Sequence, residues 1–306
     1  MKTLFNSQPS AQSTSHHQTS LELIALAAIW GASFMFMRVG TPEFGPILFT
    51  TLRTGIAAIF LFICLSFYRQ TAALKGHWRE ICVVGALNTA IPFALFGFAT
   101  LTLTAGTTSV LNATAPMFGA IVGYVWLKDK LSVSATFGLL IGFVGVYLLV
   151  SENLHLNASA ENNALLPTLA AMLAALCYGV SANYTKKHLT GVKPLVLAAG
   201  SQISATAMLL PVTLFFIPER LPSENAIWSA LLIGVICTGF AYILFFRLIA
   251  ALGPAKAISV TYLIPAFGIL WGALFLGESI SVIMLVGSAV ILLGVALATG
   301  VIKFRK

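Results

Sequence analysis

The stretch ATAPMFGAIVGYVWLKDKLS at Ala113–Ser132 returns as YLIPAFGILWGALFLGESIS at Tyr262–Ser281. Proline, phenylalanine, glycine, leucine, an acid and serine recur in the same order, yet Lys128-Asp129-Lys130 has become Gly277-Glu278-Ser279. A shift of 149 positions aligns residues 85–150 with 234–299 without a gap, and 16 of the 66 positions match. The matches include Gly85 with Gly234, Thr89 with Thr238, Pro116 with Pro265, Gly119 with Gly268 and Gly145 with Gly294. A shift of 148 extends the relation upstream, setting Gly31 on Gly179, Ser33 on Ser181, Arg38 on Lys186 and Pro46 on Pro194. Apolar composition alone produces chance matches at Leu, Val and Ala, not a shared register of Pro and Gly. The chain reads as a duplication.

Composition says where the two copies sit. Hydrophobic residues make up 58% of the 306 and charged residues 8%, against about 25% charged in an ordinary soluble domain. Charge-free runs fill 81–127, 131–151, 162–185, 194–218, 225–246, 257–277 and 279–302. A membrane-crossing helix needs about 20 apolar residues. The first of these runs is long enough for two helices, broken near Thr100–Thr108, and two earlier spans fit at 21–38 and 46–67. The expectation is an all-α integral membrane protein of ten transmembrane helices in two inverted five-helix repeats, at 21–151 and 164–302. Residues 1–20, rich in Ser, Thr, Gln and His, read as a disordered cytoplasmic tail without a cleavable signal.

The inversion follows from the charges. Cytoplasmic loops collect Lys and Arg. Fourteen of the seventeen basic residues fall on one set of alternate loops, and only Arg38 and Arg220 fall on the other. Both termini are therefore expected in the cytoplasm of a plasma (inner) membrane. With an odd number of spans per copy, the second copy enters from the opposite side. The Lys128–Lys130 turn is then cytoplasmic and the Glu278 turn external, which accounts for the missing lysines. The net charge of +8 thus reports orientation in a lipid bilayer, and nucleic acid is not an expected partner.

These features together resemble the drug/metabolite transporter superfamily, and within it an EamA-type permease. The likeness rests on the duplicated spans, IWGASFMFMR at Ile29–Arg38, Arg53 in the second span, the A-P-M-F-G and I-P-A-F-G pair, and the turns LKDKLS and LGESIS. It covers about residues 20–302. It implies an exporter of amino acids, other metabolites or drugs through a central cavity between the repeats. Inverted repeats are also the architecture of alternating access around a midplane site.

Site candidates come from the repeat. Asn112, Pro116, Gly119 and Gly123 share one helix face, as do Thr261, Pro265, Gly268 and Gly272. Asn88 and Thr89 correspond to Cys237 and Thr238; Trp30 and Ser33 correspond to Tyr178 and Ser181; Tyr242 and Tyr262 add rings with polar tips. Each of these polar groups fits either the wall of a mid-membrane substrate cavity or polar packing between helices. Arg53, within its span, reads as a charge partner for a substrate carboxylate or as a structural arginine reaching outward or to helix carbonyls. No Asp or Glu lies in the middle of a span, so proton coupling has no evident carboxylate carrier.

The four cysteines have no metal-ligand spacing, no Walker or HExxH motif occurs, and no cofactor or metal is expected. An integral-membrane enzyme and a channel-like facilitator are the alternative readings. Gly138, Gly142 and Gly145, with Gly287 and Gly294, offer a close-packing surface either to a neighbouring hairpin or to a second subunit in a homodimer.

Overall fold

A computed structural model describes residues 16–156 and 164–302. The triplet Asn157-Ala158-Ser159, which fits the pattern of an N-glycosylation acceptor, lies outside the described residues, as do residues 1–15 and 303–306. Every regular element among the described residues is helical. Helix α1 runs His16–Phe67 and turns sharply at Gly45, where φ is 73° and ψ 158°. Only glycine adopts that backbone without penalty, and Pro46 then starts the second limb with its φ preset. The helix begins at His16, so the last residues of the expected tail are already helical.

After a 3₁₀ turn at Thr71–His77 come α2 (Trp78–Gly85), a π-helical turn (Ala86–Ala90) and α3 (Ile91–Thr100). Next are α4 (Ala105–Asn112), α5 (Ala115–Val122) and a second π turn (Gly123–Leu127). Helices α6 (Val133–Leu156), α7 (Leu165–His188) and α8 (Pro194–Thr213) follow. Then α9 (Glu224–Gly234), a third π turn (Val235–Phe240) and α10 (Ala241–Leu252) run as one stretch. The last elements are α11 (Pro254–Ala257), a 3₁₀ turn (Ile258–Tyr262), α12 (Ile264–Leu276) and α13 (Val282–Ala298). Thr104, Ser223 and Ser281 cap α4, α9 and α13 by accepting from backbone N–H groups.

Seven helical stretches are long and apolar enough to cross a membrane, the first being the kinked α1, and α12 and α13 are shorter apolar helices. Bulky side chains such as Ile59, Ile63, Phe137, Leu140, Tyr147 and Leu285 cover the outside. Such a surface is stable only against lipid. This is an all-helical, multi-pass membrane protein.

The glycine stripes are used inside the chain. Helices α6 and α13 pack on each other, and a Cβ on Gly138 would fall 2.6 Å from Gly294 O, one on Gly145 3.0 Å from Gly287 O. Close backbone approach is what small residues permit in lipid. Of the two surfaces open from sequence, these glycines serve an internal one.

Candidate functional site

Two crossed contacts build the centre. Gly31 of α1 lies against Phe267 and Gly268 of α12, while Gly179 of α7 lies against Phe118 and Gly119 of α5. These positions correspond in the sequence alignment, so α1 docks on α12 as α7 docks on α5. Trp271 Nε1 donates to Ala28 O at 2.9 Å and fastens the first contact.

Between these crossings lies a cavity of about 350 Å³. Its walls are matched in pairs. Trp30 faces it from α1 and Tyr178 from α7; Asn88 comes from one π turn and Cys237 from its counterpart. Phe93 and Phe96 of α3 correspond to Tyr242 and Phe245 of α10, and Asn112 to Thr261. The π turns matter here, because the wider turn leaves the regular ladder and displaces side chains, a feature common at functional sites. Asn88 and the Tyr242 hydroxyl lie beside each other in the wall. Ser33 lies beside the Cys237 thiol, and its hydroxyl, buried in the wall, has no hydrogen-bond partner among the described residues.

Arg53 breaks the pairing. It lines the cavity from the second limb of α1, and its counterpart in the other half is the small Ser201. The side chain is buried rather than snorkelling. Its Nε donates to Thr238 Oγ1 at 3.0 Å, its guanidinium carbon sits 3.6 Å from the centre of the Phe93 ring, and one terminal nitrogen reaches the Met37 sulfur at 3.9 Å. Thr238 can accept because its own hydroxyl donates to Ile233 O. Ring and hydroxyl offset part of the cost of burying a cation, about 2 kcal/mol for a desolvated cation–π contact. No acidic residue lines the cavity among the described residues.

Of the residues singled out in the sequence, the wall brings together Trp30, Ser33, Arg53, Asn88, Asn112, Tyr178, Thr238, Tyr242 and Thr261. Thr89, Ser181 and Tyr262 lie elsewhere. Thr89 and Ser181 are buried among helices beside the wall, Thr89 without a partner for its hydroxyl among the described residues. Tyr262, one residue beyond Thr261 in the tight 3₁₀ turn, points away and pairs its hydroxyl with Thr299 Oγ1 at 2.6 Å. Phe34, Met37, Phe96 and Phe245 also line the cavity. Of these, Phe96 and Phe245 are identical partners in the repeat, a signal present in the alignment.

The two ends of the cavity differ. At one, Ala105, Gly106 and Ser109 of α4 pack onto α12: a Cβ on Gly268 would fall 2.2 Å from Ser109 Oγ, and one on Gly106 3.0 Å from Ile269. There the Glu278 carboxylate accepts from the N–H groups of Ala105 (2.8 Å) and Gly106 (3.4 Å) and meets Arg38 Nε at 3.9 Å. Arg38 in turn donates to the carbonyls of Thr100 and Leu101. At the other end Asp129, the counterpart of Glu278, binds Lys186, the counterpart of Arg38, at 2.7 Å, with both side chains exposed. Gly119 faces the cavity, and a Cβ there would meet nothing nearer than Gly179 at 3.9 Å.

A family model described as the EamA-like transporter family matches residues 19–151 and again 165–300. The chain belongs to that family and is a transporter by class. It is similar to "Uncharacterized transporter YoaV" of Bacillus subtilis, 26% identical, over 94% of this chain and 98% of that protein. It is also similar to a "Probable terminal-alkyne amino-acid exporter" of Streptantibioticus cattleyicolor, 23% identical, over 90% of this chain and 91% of that one. A solved crystal structure shares the fold, with a TM-score of 0.63 at 18% identity, over 94% of this chain and 98% of the other.

Proposed function

We propose that the protein is an alternating-access exporter of small amphipathic metabolites, amino acids and related compounds or drugs, working through the cavity between two inverted repeats. The observation that carries this is the wall itself: corresponding residues of the two sequence halves converge on one space, as a site on an inverted two-fold requires. Counting the limbs of α1 separately, and taking α11 to α12 as one crossing, the helices make ten spans in repeats of five, at 21–151 and 164–302. The basic loops set the Lys128, Lys186 and both-termini side in the cytoplasm of the inner membrane. The Glu278 end is then external and closed, and the Asp129 end is internal and looser.

An exchange of these two arrangements, with Asp129 and Lys186 gathering helix termini as Glu278 and Arg38 do, is the motion that would turn the site outward. The named exporter among the relatives supports the amino-acid reading for this chain. The volume suits a small metabolite, and a single cation suits a multiply charged nucleotide sugar poorly.

Efflux from proteoliposomes loaded with a mixture of amino acids, followed by mass spectrometry, tests this. Saturable efflux of particular solutes is expected, reduced at least about tenfold in rate or affinity by Trp30→Ala or Asn112→Ala, the scale of one lost binding group of about 1.4 kcal/mol. Flux that rises linearly with concentration would indicate a channel-like facilitator, and a chemically altered solute an enzyme. Wild-type transport in both variants would remove the site from this cavity.

A further inference from the structure

One charge stands in a wall otherwise made of rings, methyls, hydroxyls and amides. A guanidinium carries five N–H donors in a planar fork suited to a carboxylate. At Arg53 one donor is taken by Thr238 Oγ1 and one faces the weak Met37 sulfur acceptor. The Phe93 ring covers the face of the fork, which fixes its plane and leaves its edge for a ligand. A buried cation without an anion is costly in a low-dielectric site, and among the described residues no carboxylate lines the cavity beside this one. The counterpart position, Ser201, is uncharged and bonds its own helix at Ala198 O, so the charge has no equivalent at the matching position.

We infer that the cavity takes a small amphipathic monoanion, its carboxylate held edge-on by Arg53 and its apolar tail among Trp30, Phe34, Phe96 and Phe245. This rests on the transport reading above and narrows its substrate class. A monoanion balances the single guanidinium. A dianion would leave a surplus charge in the same dry space. An ammonium group is not required, since the wall has no acid to receive it; where a substrate carries one, the ring faces of Trp30 and Tyr178 are the available partners. Arg53 is thus a specificity-determining residue, selecting acids over neutral isosteres of the same shape.

The test is thermal unfolding of the detergent-purified full chain with matched pairs: phenylacetate against phenylacetamide, and hexanoate against hexanamide. In the wild type the acids are expected to raise Tm and the amides to do so far less. Arg53→Gln is expected to abolish the acid-minus-amide difference. Arg53→Lys, which keeps the charge but loses the fork, is expected to retain it at about tenfold weaker apparent affinity. Should Arg53→Gln fail to fold, Arg53→Lys and the wild-type pairs decide the matter.

The inference is overturned if acids and amides shift the wild type equally, or if the difference persists undiminished in the variants, as it would were Arg53 purely structural. The two readings fail separately. Acid binding through Arg53 without any proteoliposome flux removes the alternating-access export reading. Saturable flux without acid preference removes the anchor.

Discussion

At the Glu278 end of the molecule, acid, base and two helix termini are knotted together; at the Asp129 end the corresponding acid and base form one exposed ion pair. Glu278 sits at the N-terminus of α4 and Arg38 at the C-terminus of α3, so each charge meets the helix end of opposite polarity. Asp129 and Lys186 touch each other across solvent, with side chains 52% and 62% exposed. Both acidic turns start alike: Glu278 N–H donates to Gly272 O and Asp129 N–H to Gly123 O, each at 3.1 Å. They differ in what reaches them. Equivalent local structure therefore does different work depending on whether α4 or its counterpart, residues 254–261, has closed onto the facing helix.

The largest test of that comparison is charge removal at each end. Glu278→Ala leaves Arg38 without its acid and two N–H groups of α4 without an acceptor. A loss of about 3 kcal/mol is expected, by the scale of removing one partner of a largely buried, charge-assisted cluster. Asp129→Ala removes an exposed pair, worth less than about 1 kcal/mol. Tm measured in detergent reads both. Equal losses would mean that the Glu278 cluster is no better ordered than a surface ion pair.

Glycine substitution sharpens the comparison on a smaller scale. Gly268→Ala drives a methyl into Ser109, whose oxygen would be 2.2 Å away, and overpacking of that kind costs about 1–3 kcal/mol. Gly119→Ala enters open cavity space and should leave stability within about 0.5 kcal/mol of wild type, while narrowing the cavity enough to weaken transport. Stability and efflux measured together separate the two. A Gly119→Ala protein as unstable as Gly268→Ala would show the Asp129 end to be as tightly packed as the other.

Much of the cavity wall was legible because the sequence aligns on itself at shifts of 148 and 149. Trp30, Asn88, Asn112, Tyr178 and Thr261 stood out as polar or aromatic residues at matched positions in apolar helices, and all line the cavity. Phe34 and Met37 did not, since an apolar side chain in an apolar span carries no mark of which face is lipid, helix or cavity. Thr89 shows the limit of matching. Its counterpart Thr238 is held in the wall by Arg53, and no arginine stands opposite Thr89 to do the same. The inward aim of Arg53 was itself not readable, because its partners Phe93, Met37 and Thr238 are brought together only by tertiary packing. Nor was the difference between the ends, as the two acidic turns have nearly the same pattern and part only in their long-range neighbours.

The smallest expected effect concerns a second clasp at the Glu278 end. Glu43, in the loop-side part of α1, accepts from both the hydroxyl and the backbone N–H of Ser223, which is also the cap of α9. The position corresponding to Glu43 in the other half is Gly191, so the Asp129 end has no equivalent. The Ser223 hydroxyl and then its N–H hold the Glu43 carboxyl below its ordinary range. A carboxylate with a depressed folded pKa contributes stability above its unfolded value and loses it as pH falls through the folded one. The Tm gap between wild type and Glu43→Gln should therefore be constant near neutral pH. It should shrink from about pH 4.3, the ordinary Glu value, downward. Glu43 is fully exposed, so the gap is small and should fade further in high salt. A gap that widened as the pH fell would contradict the sign of this linkage, and with it the clasp.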